Sequence, residues 1–76
     1  MRHKDREKFV RLANKRVSNA LKAIQLIGNL SNRSNYDYTE DDAQKILKAL
    51  QEELAACRKK FELGLKRQSD IQFTLD

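Results

Sequence analysis

Apolar residues recur along two stretches of this chain at alternating spacings of three and four residues. In the first stretch they are Val10, Ala13, Val17, Ala20, Ile24 and Ile27, and in the second they are Ala43, Leu47, Leu50, Leu54, Cys57 and Phe61. This spacing places apolar side chains on one face of an α-helix. A polar segment, residues 31–39, separates the two stretches. The pattern predicts an all-α fold, in which long helices over about residues 3–29 and 40–67 form an antiparallel hairpin.

Short polar residues mark the predicted helix ends. Thr39 precedes three carboxylates, and Asp42 stands at the third helical position, where it can complete a capping box with Thr39. Gly28 suits the C-terminal end of the first helix, or an internal position where a neighbouring helix approaches closely. Asn32 and Asn35 are the residues of the connection that we expect in the left-handed conformation.

The C-terminal segment changes its period. Ile71, Phe73 and Leu75 alternate with polar residues, which is the spacing of a β-strand. We therefore expect a helical domain over residues 1–69 and an extended tail over residues 70–76. The tail either packs along the helices as an extended arm, adds an edge strand to a partner's sheet, or stays disordered.

The first helix carries more apolar surface than one neighbouring helix covers. A chain of 76 residues is near the lower limit for folding alone, and one cysteine with one histidine provides neither a disulfide nor a metal site. We therefore expect a homodimer of hairpins that forms a four-helix bundle, with docking onto a different protein as the alternative. The residues predicted to meet the second copy or partner are Phe9, Val10, Val17, Leu21 and Ile24.

The net charge of +5 is confined to residues 1–16, which hold seven basic and two acidic residues, while the remaining sixty residues are neutral. Clustered cations at the N-terminal end of a helix oppose the helix dipole and favour a polyanionic partner. A solvated end that aids solubility is the alternative. The candidate contacts to nucleic acid or to an acidic partner are Arg2, Lys4, Lys8, Arg11, Lys15 and Lys22.

The connection carries Arg33, Tyr36 and Tyr38. The two tyrosines either fold back to cover the end of the helices, or form with Arg33 an exposed recognition tip that stacks on bases or packs on a protein.

No catalytic constellation is present in the sequence. His3 is the only histidine, and Cys57 falls on the apolar face of the second helix, where an inert thiol is expected. We expect no enzyme activity, cofactor, metal or small-molecule substrate. The sequence has neither an apolar run long enough to span a membrane nor the apolar core of a signal peptide, so we expect a cytoplasmic protein without membrane contact.

These features favour a small non-catalytic interaction module, which is an adaptor, accessory factor or inhibitor of the kind that phages and mobile elements encode. It would contact a protein partner through its helical faces and its tail. The alternative is a nucleic-acid-binding protein that uses the basic half of the first helix, where Arg11, Lys15 and Lys22 follow one another at four- and seven-residue spacings. In overall plan the chain is similar to Rop-type RNA-binding proteins, which are dimers of helical hairpins, and this similarity implies RNA as a ligand.

Overall fold

The computed structural model describes the backbone of residues 3–71 and the side chains of residues 3–67. This part of the chain is all-helical. Helix α1 spans His3–Asn29 and helix α2 spans Glu40–Ile71, and no strand occurs between residues 3 and 71. The prediction of two helices beginning near residues 3 and 40 is confirmed.

Helix α1 ends by tightening its last turn. After Asn29, the N–H of Leu30 donates to the carbonyl oxygen of Ile27 at 3.0 Å, and the N–H of Ser31 donates to that of Gly28 at 3.0 Å. These bonds span three residues, as in a 3₁₀ turn, and they satisfy carbonyls that the helix leaves open. Gly28 lies inside the helix with φ below zero. Gly28 is therefore the last residue but one of α1, at the predicted C-terminal end, and the close approach of a neighbouring helix at this glycine stays a prediction.

The connection is organised by Asn32. Its Oδ1 accepts hydrogen bonds from the backbone N–H and the hydroxyl of Ser34, and its carbonyl oxygen accepts from the N–H groups of Asn35 and Tyr36 at 3.1 and 3.0 Å. Side-chain bonds of this kind compete with helix formation. The prediction that Asn32 and Asn35 are left-handed is wrong, because no described residue has a positive φ. Asn32 makes its turn with a side-chain bond instead.

Helix α2 begins with the predicted capping box. The N–H of Asp42 donates to Oγ1 of Thr39 at 3.1 Å, and the N–H of Thr39 donates to Oδ2 of Asp42 at 3.0 Å. The N–H of Ala43 donates to the carbonyl oxygen of Thr39, which is the first hydrogen bond of the helix. Two backbone donors at the helix N-terminus are thus satisfied reciprocally.

Helix α2 continues to Ile71, four residues past the predicted end at Arg67. Ile71 is therefore helical, which corrects its assignment to an extended tail that starts at residue 70. Residues 66–71 contain neither proline nor glycine to stop the helix, and Lys, Arg and Gln favour it. Phe73 and Leu75 lie outside the described residues, so their place in an extended tail stays a prediction, as does the domain boundary at residue 69.

The chain divides into two units between Asp37 and Tyr38, and each unit is built on one helix. A single helix encloses no core, and α1 has no buried residue. None of the side chains of residues 3–67 is buried. Neither α1 nor α2 contains a stretch both long and apolar enough to cross a bilayer, as judged on the described residues.

Candidate interaction surfaces

The five residues predicted to meet a partner lie together on one side of α1. Phe9, Val10, Val17, Leu21 and Ile24 fall within about 120° of the helix circumference, at about 100° of rotation per residue. We call them the apolar face of α1. All five are exposed, with Val17 and Leu21 showing 56% and 55% of their surface. The residues that were predicted to form one contact surface therefore lie on one face of α1, and this face is exposed.

Helix α2 carries a narrower apolar stripe. Its members are Ala43, Leu47, Leu50, Leu54, Cys57 and Phe61, which fall within about 80° of the circumference. Ile46 and Leu65 are also exposed and extend the stripe. The heptad pattern did not predict these two, because it counts only two positions in seven. The four-residue spacings Ile46–Leu50 and Phe61–Leu65 were the signal that identifies them.

A second surface of α1 is basic. Lys4, Lys8, Arg11, Lys15 and Lys22 are all exposed, and they lie within about 60° of the circumference over about 27 Å of helix. We call these five residues the basic stripe. Arg2, which the sequence predicted with them, lies outside the described residues. No acidic residue of α1 falls within this arc, since Asp5 lies about 60° beyond one edge and Glu7 about 40° beyond the other.

Two arginines of α1 lie away from the basic stripe. Arg6 and Arg16 project toward the apolar side of the helix. The guanidinium carbon of Arg6 is 5.8 Å from the centre of the Phe9 ring, which is within the range of a cation–π interaction. Arg6 therefore borders the apolar face of α1 and is not part of the basic stripe.

The connection presents its three predicted recognition residues differently. Arg33 is exposed, 49% of the surface of Tyr36 is exposed, and Tyr38 is half-buried. Arg33 and Tyr38 interact with other residues of the chain. Half-burial of Tyr38 fits a structural role, whereas Tyr36 remains open to a partner.

The carboxylates at the start of α2 are engaged in local interactions. Asp42 completes the capping box, Asp41 pairs with Lys45 at 3.1 Å, and Glu40 Oε1 accepts a hydrogen bond from Gln44 at 3.3 Å. Among the described residues no three His, Cys, Asp or Glu side chains are grouped so that they could hold a metal ion.

His3 and Cys57 are two further side chains with possible chemistry. His3 lies 2.8 Å from Glu7 in an exposed contact one turn away. Cys57 is an exposed free thiol on the apolar stripe of α2. Apart from Glu7 beside His3, no nucleophile or base contacts either side chain within the described residues. The surfaces available to act are therefore the apolar face of α1, the apolar stripe of α2, the basic stripe and the connection.

Comparison with known proteins adds no relative: no protein-family model, curated protein or solved structure matches this chain.

Proposed function

We propose that this protein is a small non-catalytic interaction module whose helices form an antiparallel hairpin and whose apolar faces bind another protein chain, first of all a second copy of itself. The observation that carries the proposal is the exposed apolar face of α1. Contiguous apolar surface of this kind is typical of protein–protein contact sites.

The length of the connection supports the antiparallel hairpin. Helix α1 has 27 residues and is about 40 Å long at 1.5 Å per residue. For α2 to run parallel beside α1, the connection would have to return over that distance. The ten residues between Asn29 and Glu40 reach at most about 35 Å when fully extended, and the hydrogen bonds around Asn32 shorten them further. An antiparallel arrangement needs no such reach.

The unequal widths of the two apolar surfaces support a further partner. The stripe of α2 covers about 80° to 100° of the circumference, which is the width that one packed neighbour needs. The apolar residues of α1 from Leu12 round to Leu21 cover about 180°, and Leu26 lies about 40° beyond Leu12. A hairpin would therefore use the stripe of α2 against part of α1 and leave the rest of α1 for a second copy. Two hairpins related by a two-fold axis close such an interface in a four-helix bundle.

The gain from covering this face is large for a chain of this size. The five side chains of the apolar face are each about half exposed. Completing their burial contributes about 4–7 kcal/mol per chain before the entropy of ordering is subtracted. This is comparable with the total stability of a small domain.

A pair of matched variants tests the proposal. Leu21→Glu places a carboxylate on the apolar face of α1, whereas Leu63→Glu makes the same change on the opposite side of α2 from its apolar stripe. The two leucines are equally accessible, at 55% and 52%. We expect Leu21→Glu to lower the mass measured by light scattering to that of one chain, and Leu63→Glu to leave the mass of the wild type unchanged.

Three outcomes would count against it. If both variants keep the wild-type mass, the apolar face of α1 is not the contact between copies. If both lose it, the effect is one of added charge or lost folding, which circular dichroism separates. If the wild type is itself a single chain, the partner is not a second copy.

A further inference from the structure

The basic stripe of α1 is not used by the proposed contact between chains. From its place, and because no carboxylate among the described residues pairs with it, we infer that it binds the sugar–phosphate backbone of a nucleic acid, without reading the base sequence. The inference rests on α1 alone and does not require the hairpin or the dimer.

The two helices arrange their cations differently. On α2, Lys45 pairs with Asp41 at 3.1 Å and Lys48 with Glu52 at 4.0 Å. The other described cations of α2 make no ion pair among residues 3–67, but they are spread over about 200° of the circumference and form no stripe: Arg58, Lys59, Lys60, Lys66 and Arg67. On α1, no carboxylate of residues 3–67 lies within ion-pair distance of the five cations of the basic stripe. Cations at the N-terminal half of a helix also add to the positive end of its dipole. A strip of uncompensated positive potential results, and it attracts anions.

The position of the basic stripe argues against a membrane surface as the anion. The middle of the stripe lies roughly 155° around α1 from the middle of the apolar face. A helix that lies on a bilayer buries its apolar face and holds its cations at the level of the headgroups. Here the cations point away from any surface that covers the apolar face. The same geometry leaves the basic stripe open when the apolar face meets a second chain.

The shape of the stripe favours a nucleic acid over an acidic protein. Its cations follow a nearly straight line of about 27 Å, with successive members about 4.5 to 10 Å apart along the helix axis. A nucleic acid backbone carries negative charge at short regular intervals over a longer distance than this. Each cation of the stripe can therefore contact a phosphate, whatever the base sequence.

The number of cations sets the expected salt dependence. Five phosphate contacts give a slope of log K against log salt of about −4.5 for duplex DNA and about −3.5 for a single strand. Raising the salt from 50 to 200 mM then weakens binding about 500-fold or about 130-fold, respectively.

The test measures the binding of labelled 20-mers by fluorescence anisotropy between 50 and 200 mM KCl, with duplex DNA, duplex RNA and single-stranded DNA as probes. Arg11→Gln/Lys15→Gln removes two cations of the stripe and keeps good helix formers. We expect this variant to bind about 25- to 60-fold more weakly at 0.1 M salt, with a slope reduced by about 1.4 for the single strand and about 1.8 for the duplex.

The matched control is Lys45→Gln/Lys48→Gln, which removes the same charge from α2. We expect it to keep the wild-type affinity and slope. We also expect the stripe variant to keep the mass of the wild type in light scattering, because the stripe lies outside the apolar face. A changed mass of the stripe variant would contradict the proposed contact between chains, whereas unchanged binding of that variant to the probes would contradict this inference.

Four results would overturn the inference. The first is that the wild type binds none of the probes at 50 mM salt. The second is that the two double variants weaken binding equally, because binding would then respond to net charge alone. The third is that polyglutamate of equal charge competes as well as unlabelled nucleic acid, because the stripe would then accept acidic chains in general. The fourth is an affinity that changes tenfold or more among probes of different base sequence, because the protein would then read the bases.

Discussion

The two hydrogen bonds of the capping box at the start of α2 set the loss of stability that we predict for the variant Thr39→Ala. Thr39→Ala removes Oγ1, the acceptor that lies 3.1 Å from the N–H of Asp42. The N–H of Thr39 keeps its bond to the Asp42 carboxylate at 3.0 Å, so half of the box survives. Loss of a threonine N-cap costs about 1 kcal/mol, within a range of about 0.5–2 kcal/mol.

The assay is thermal unfolding followed by circular dichroism, at one fixed protein concentration because self-association makes the melting temperature depend on concentration. A loss of 1 kcal/mol per chain lowers the melting temperature by about 4–8 °C for a domain of this length, and by about the same amount if two chains melt together, because the loss and the entropy of unfolding both double. Thr39→Ser retains a hydroxyl at the same position. We expect it to melt within about 1–2 °C of the wild type, since serine caps at least as well as threonine.

The two variants decide the reasoning together. If Thr39→Ala melts with the wild type, the bond to the Asp42 N–H contributes nothing to stability. If Thr39→Ser is destabilised as much as Thr39→Ala, the methyl group of Thr39 matters and not its oxygen. Either result would refute the energetic role given to the capping box.

Four further expectations follow from the fold and from the proposed contact between chains. Gly64→Ala stabilises the chain by about 0.5–1 kcal/mol in thermal melts, because alanine favours a helix interior over glycine and a Cβ at Gly64 meets nothing within 4 Å. Gly28→Ala gives the same gain if no helix of a second copy packs closely there, and a loss if one does. Asn32→Ala removes the acceptor of both Ser34 bonds and lowers stability by about 0.5–1.5 kcal/mol, while Asn32→Asp, which keeps the acceptor, melts close to the wild type. If the apolar face of α1 carries the contact between chains, deleting residues 72–76 leaves the number of associated chains in light scattering unchanged. Dissociation to single chains would assign that contact to the tail.

The helix starts could be predicted because their signals are local. Thr39 and Asp42 are three residues apart, and their reciprocal bonds need only the backbone of one turn. The periodic apolar residues placed α1 and α2 for the same reason, since the pattern repeats every turn.

The errors have physical causes of the same kind. The alternation of Ile71, Phe73 and Leu75 predicted an extended segment. An alternating pattern stabilises a strand only when a sheet is present to pair with it. The residues before Ile71 favour a helix, and α2 extends to Ile71. Asn32 turns the chain with a side-chain bond to Ser34 at negative φ, an option that asparagine has besides the left-handed conformation. A sequence does not choose between the two without the geometry of the turn.

The candidate surfaces were predictable as positions on a helix and not as contacts. Helical rotation alone places Lys4 and Lys22 on one line, and Phe9 and Ile24 on one face. What covers the apolar face of α1 depends on surface outside that helix, which its own periodicity does not specify.

The central claim is that a second copy of the chain covers this apolar face. Sedimentation equilibrium of the wild type at about 50 μM, well above the concentration at which a micromolar dimer dissociates, tests it most directly. The account predicts a mass of twice the 8.9 kDa of one chain. A mass of 8.9 kDa that stays constant across the concentration range would contradict it.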